Sequence, residues 1–310
     1  MVDDETSTAD LRTEDDVLGR TPAGSVVAAP PAPAEDMGAT SLILLRAARV
    51  VLVAFVMMLV WIVAVAPLAH VVTQERLEAD LRAGLNMATV PVQTPAPAGT
   101  PLAFVEIESI GLRRVVLAGT TASVLADGPG HLRTSRLPGQ SGTSVIIGRR
   151  SLFGGDFSDL AEVGKGDMIT VTTGQGVAEY RVESVRRYPA TAAEAFVAEG
   201  NSLLLMTAGS AFSASERVVV DAELVGDPFP SGQRPMQPTP GPSELGLDGE
   251  RGGVASLVAW AQVWLAALAA TVWMALRWRA RSTWILSAPV HLALATVVAE
   301  HVARLLPPLL

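Results

Sequence analysis

The sequence predicts a mainly β domain held between α-helical transmembrane segments, and three observations predict it. Residues 126–180 alternate turn-forming clusters (Gly128-Pro129-Gly130, Pro138-Gly139, Gly164 with Gly166) with short β-branched runs such as Thr143-Ser144-Val145-Ile146-Ile147. Residues 50–69 and 254–276 contain no charged side chain and have the length, about 20 residues, that crosses a hydrocarbon core as a helix. Residues 1–41 and 227–253 are rich in Ala, Pro or Gly and lack helical or strand periodicity, which marks a tail and a linker.

Composition removes several function classes. A net charge of −8 excludes nucleic acid as a partner. The chain has no cysteine, which excludes a disulfide framework, thiolate zinc sites and thiol chemistry. No metal or cofactor is expected. Lys165 is the sole lysine among many arginines, a codon bias that points to a GC-rich, actinobacterial kind of genome.

The elements follow in order. Residues 1–41 read as a disordered cytoplasmic tail, too long and too acidic to be a secretory signal. Residues 42–69 read as a transmembrane helix, and Arg46 and Arg49 on its N-terminal side place the tail in the cytoplasm. Leu77, Leu81 and Leu85 recur every fourth residue among Glu75, Arg76, Glu78, Asp80 and Arg82, so 74–85 is an amphipathic helix. Pro91, Pro95, Pro97 and Gly99 then make a semi-rigid stalk, and 70–101 as a whole should lift the domain off the membrane. Within a domain at 102–226, strands are expected at 102–107, 114–117, 143–147, 203–208 and 218–225, with a hairpin of 168–173 and 177–182 around Gly174-Gln175-Gly176 and a short helix at 121–126. A linker at 227–253 leads to a second span at 254–276, which Arg277, Arg279 and Arg281 mark as ending in the cytoplasm. Residues 283–304, with Pro289, His291, Glu300 and His301, read as a third transmembrane or a re-entrant helix. The domain is thereby extracytoplasmic, on a multi-pass plasma-membrane protein.

Residues 102–225 also carry a series of motifs in order: Gly128-Pro129-Gly130-His131, Leu137-Pro138-Gly139-Gln140-Ser141-Gly142, Ile146-Ile147-Gly148-Arg149-Arg150, Phe157-Ser158-Asp159-Leu160, Gly166-Asp167 and Tyr180-Arg181-Val182. This series resembles the sortases, membrane-anchored cysteine transpeptidases of the Gram-positive cell envelope, and most closely those of class E or C. The resemblance implies a closed β-barrel of about eight strands with short helices. It also implies a cleft that binds sorting-signal peptides of the Leu-x-x-Thr-Gly type.

The same resemblance assigns the site. The family's catalytic histidine falls on Arg149, its nucleophilic cysteine on Ala208, and its arginine on Arg217 of Glu216-Arg217-Val218. A methyl group has no lone pair for attack on a carbonyl. A guanidinium does not cycle protons near neutrality. Arg217 could hold an oxyanion, but without a nucleophile none forms. His131, the domain's only histidine, stands where the family has a non-catalytic one. Ser210, Ser213 and Ser215 with Asp156 and Asp159 offer a serine-hydrolase alternative, yet no Gly-x-Ser-x-Gly elbow is present.

Arg149, Arg150, Thr207, Arg217 and His131 are thus expected around the cleft as binding residues, since arginine forks suit carboxylates and backbone carbonyls. The alternative for Arg149 is a local acidic partner or solvent. Three functions follow. The preferred one is a pseudoenzyme that binds the peptide tail of a surface protein, or another membrane partner, without transpeptidation. The others are an active transpeptidase of non-standard mechanism, and a membrane assembly partner acting through its C-terminal helices.

Overall fold

A computed structural model describes residues 66–92, 96–151, 154–189, 200–210, 213–230, 254–277 and 280–305, with isolated positions between 41 and 56. The expected first span, 42–69, lies largely outside the described residues. The first described helix, α1, runs Ala66–Asn86. Its leucine stripe turns inward: Leu81 is buried, and Leu77 and Leu85 pack beside it against Val90, Val115, Leu117 and Val124. Gln74 pins the helix at both ends of its amide, donating to Asp127 O (2.7 Å) and accepting from Val115 N (3.0 Å).

The domain is a closed barrel of eight strands, as expected. In chain order these are β1 (Pro101–Ile107), β2 (Leu112–Ala118), the short helix α2 (Val124–Asp127), β3 (Gly130–His131), β4 (Ser144–Ile147), β5 (Met168–Thr173), β6 (Gly176–Pro189), β7 (Ser202–Ser210) and β8 (Ser213–Val225). Around the barrel they run β1-β2-β3-β4-β7-β8-β6-β5, and β5 pairs with β1 to close it. Period-2 patterning explains the outer strands: along β6, Ala178, Tyr180 and Val182 point inward while Glu179, Arg181 and Glu183 face water. β7 instead is apolar on both faces, and both are covered. Leu203 and Leu205 join the barrel interior, while Leu204, Met206 and Ala208 join an outer cluster with Leu125, Leu132, Val145, Ile147 and Val219.

The segment read as a stalk lies on the barrel. Val90 and Ala96 are buried, and Gln140 Nε2 donates to Val92 O (3.1 Å) and to Gln175 Oε1 (2.7 Å). The proline content suggested a spacer, but the apolar residues between the prolines have a surface to cover. The outgoing chain is fastened at the same place. Phe229 N donates to Gly139 O (2.7 Å), and Gln175 Nε2 donates to Pro230 O (2.7 Å). Replacing Gln140 by Ala removes two of these bonds and is expected to cost about 1–2 kcal/mol. Hydrogen exchange should quicken in the strap at 90–92 and 96 and stay unchanged in β7.

Beyond the barrel, α3 (Val254–Arg277) and α4 (Ala280–Leu305) pack on each other. Among the described residues one helical stretch, Val254–Met274, has the length and hydropathy to cross a membrane, and Leu286–Val302 is a shorter apolar helix. Thr271 donates to Ala267 O (2.8 Å), so His291 Nε2, 3.0 Å from the same hydroxyl, is the donor between the two helices.

Candidate functional site

Three neighbouring strands bring the key positions to one end of the barrel. β4 runs parallel to β7, with Ile147 beside Met206, and the pairing continues one step further through Gly148 N to Met206 O (3.0 Å). β8 runs antiparallel to β7, with Arg217 opposite Ala208. Arg149, Ala208 and Arg217 therefore lie at the same end of these three strands. Gly148 makes the turn out of β4 because the Phe157 ring lies against it: a Cβ there would stand 2.5 Å from Phe157 Cδ2. Phe157 N in turn donates to Arg149 O (2.9 Å).

Arg149 is 1 % exposed, and its guanidinium is occupied by backbone. Nε donates to Leu125 O (3.1 Å) and Nη2 to Ala122 O (2.9 Å), which ties the segment containing α2 down over the outer apolar cluster. Burial draws its pKa down to about 10, so it remains a cation at neutral pH and is no proton shuttle there. Arg217 is equally buried, and burial likewise lowers its pKa. These main-chain carbonyls present two acceptors to the planar fork of donors.

The end of β7 is capped by two further guanidiniums. Arg150 Nη1 donates to Ala208 O (3.2 Å) and Arg187 Nη1 to Gly209 O (3.0 Å). Arg187 also stands 4.0 Å from Glu216. It was not legible as a site residue, because only the length of β6, which pairs Arg187 with Val218, brings it there.

Thr207 and His131 belong to the other face. Thr207 alternates with Ala208 and so points with Leu205 into the barrel, and His131 pairs with Ile146, an interior residue. His131 is fully buried, and its Nε2 lies 2.7 Å from Arg136 O and 3.2 Å from Ser135 Oγ. Burial pushes its pKa down to about 4, so the ring is neutral at physiological pH, with Nε2–H donated to Arg136 O. Asp156, the carboxylate of the serine-hydrolase alternative, is buried against His70 Nε2 (2.8 Å) and Arg114.

Chemically, the edge offers a methyl at position 208, buried cations, and a rim of arginine donors aimed at main-chain carbonyls.

Comparison with known proteins agrees with this architecture. Residues 105–225 match the family model of the sortase domain. None of the curated proteins matches the chain. Among solved structures, it is similar to a sortase D5 transpeptidase from Clostridium perfringens, with 20 % identity and a TM-score of 0.43 over 50 % of this chain and 99 % of that one. It is similar to sortase E from Streptomyces avermitilis, with 26 % identity and a TM-score of 0.39 over 42 % and 91 %. A structure of Clostridium perfringens sortase C with the C-terminal cell wall sorting motif gives 21 % identity and a TM-score of 0.40 over 50 % and 88 %. Residues 105–225 thus carry a sortase domain, folded as a closed eight-stranded barrel.

Proposed function

We propose that this protein is a membrane-anchored, extracytoplasmic member of the sortase family that binds a sorting-signal-type peptide or a partner at the cell envelope without transpeptidation. One observation carries the reading: the edge formed by β4, β7 and β8 holds Arg149 and Ala208, the positions to which the family resemblance assigns the histidine and the cysteine. The apolar stretch Val254–Met274 supports a membrane anchor, and the arginines after it support a domain on the outer side.

The burial of Arg149 and Arg217 narrows the binding surface. Recognition falls to the rim, above all to Arg150, which is only partly buried and already donates to a main-chain carbonyl. A neighbouring peptide in extended form offers the same kind of acceptor.

In the test, a synthetic peptide of the Leu-x-x-Thr-Gly type is added to the full chain in lipid nanodiscs. Saturable binding with the peptide recovered intact is expected. Arg150→Ala should weaken it about tenfold, the worth of one charge-assisted hydrogen bond. Cleavage of the peptide would establish an enzyme, and absence of binding would leave the C-terminal helices as the functional part.

A further inference from the structure

We infer that the barrel stands on the membrane with its Arg149–Ala208 end against the lipid headgroups and its Phe229 end outward. The inference rests on reading residues 42–69 as a membrane span, and it deepens the proposed function by fixing the side from which a ligand arrives.

The first support is where α1 begins. His70 directly follows the expected span, yet its ring is already buried in the barrel. Nε2 lies 2.8 Å from Asp156 Oδ1 and Nδ1 lies 3.2 Å from Ala126 O, while Arg114 holds Asp156 from the other side. The loop approaches so closely that a Cβ on Gly154 would stand 2.2 Å from His70 Cδ2. These contacts border the candidate site itself, since Arg149 bonds Leu125 O, next to Ala126, and its own carbonyl accepts from Phe157 N, next to Asp156. No slack exists between the expected span and this end of the barrel.

The second support is the outer side of the same two turns. Leu68, Val71 and Val72 are 66, 49 and 38 % exposed. They continue the apolar run of 50–69, and the headgroup–acyl boundary is the medium that would cover them.

The third is the route of the chain. From His70 to Asn86 α1 rises about 25 Å along the barrel. It ends where Val90 meets Gly174, at the end of the barrel that also holds Gly139, Gln140 and Phe229. The barrel is entered at Pro101 and left after Val225 at that same far end. From there residues 231–253 must return to the membrane, and 23 residues reach at most about 80 Å, ample for the descent. A long linker on the C-terminal side and none on the N-terminal side is what this orientation requires. A ligand of the Arg150 rim then approaches from the lipid side, as the juxtamembrane stretch of a membrane-anchored polypeptide would.

The absence of cysteine makes the test direct. Single cysteines at Val56, Ser151 and Asp227 carry an environment-sensitive fluorophore, with the full chain in phosphatidylcholine–phosphatidylglycerol vesicles holding a headgroup-attached quencher. Quenching at Ser151→Cys is expected to be several-fold stronger than at Asp227→Cys. Adding His70→Ala and Asp156→Ala should reduce it at Ser151 and leave the Val56 signal unchanged. Equal quenching at the two ends, with the Val56 label embedded in lipid, overturns the orientation alone. A water-exposed Val56 label overturns the span and the orientation together.

Discussion

Replacing Arg149 by Met should destabilise the barrel by about 3–5 kcal/mol, as much as a large core truncation does. Methionine fills much of the same volume, so packing is largely kept. What it removes is the fork that satisfies Leu125 O and Ala122 O, two acceptors beneath a buried surface. Each buried carbonyl left without a donor costs about 1–3 kcal/mol. Arg149→Lys should recover part of the loss, since one ammonium can reach one carbonyl but cannot span both. Hydrogen exchange of peptides from α2, β4 and β7 in the full chain measures this without relying on tryptophan emission, which would report elsewhere: all six tryptophans lie outside the barrel. Stability equal to wild type would mean that water serves these carbonyls as well as arginine does. The same result bears on restoring catalysis. On the proposed pseudoenzyme reading, Arg149→His with Ala208→Cys would supply the family's histidine and cysteine while releasing the segment over them, so two substitutions should fall short of a working site.

Acidification should weaken the domain through His131. Its pKa is about 4 in the fold against 6.5 for a solvated ring, because burial disfavours the imidazolium. Between those values the unfolded chain binds a proton that the folded chain refuses, so stability rises with pH across the window and is lost as pH falls from 6.5 toward 4. The full swing is about 3 kcal/mol. His131→Gln keeps a donor for Arg136 O and removes the titration, so its stability should be nearly flat over the same range. A wild-type protein equally stable at both ends would show that His131 is reached by solvent or gains a partner when charged.

Much of the barrel was legible because its strands are long enough to show a pattern. β5 and the start of β6 alternate, and β7 reads as a continuous apolar run. β3 was not legible: two residues inside a Gly-Pro-Gly-His turn have no periodicity, and only pairing with Leu117 and Ile147 makes them a strand. Arg149, Ala208 and Arg217 were singled out by family resemblance, and the pairing of β4, β7 and β8 sets them at one end of the barrel. Their environment was not. That Arg149 turns toward Leu125 O rather than toward a ligand depends on where α2 lands, and that is a tertiary fact. Thr207 was expected at the cleft beside Ala208, and His131 through its Gly-Pro-Gly-His motif, whereas the strand period sends them to the opposite face. Docking of residues 90–92 and Ala96 on the barrel was hidden by their prolines, which signal stiffness and say nothing of what the stiff segment rests on.

The parallel pairing of β4 with β7 also sets an order of events as the chain is made. Ser144 waits for Leu203, 59 residues later, whereas β1–β2 and β5–β6 are neighbours joined by short turns and can pair as soon as they emerge. Closing so long a loop before any contact rewards it makes this the slow step of assembly. Until it is taken, Val145, Ile147 and the edge of β4 lie open. Arg149 fastens one wall of that edge, through carbonyls only 24 and 27 residues behind it, before its other wall exists. Arg149 thus holds the nascent edge in shape while the last strands arrive.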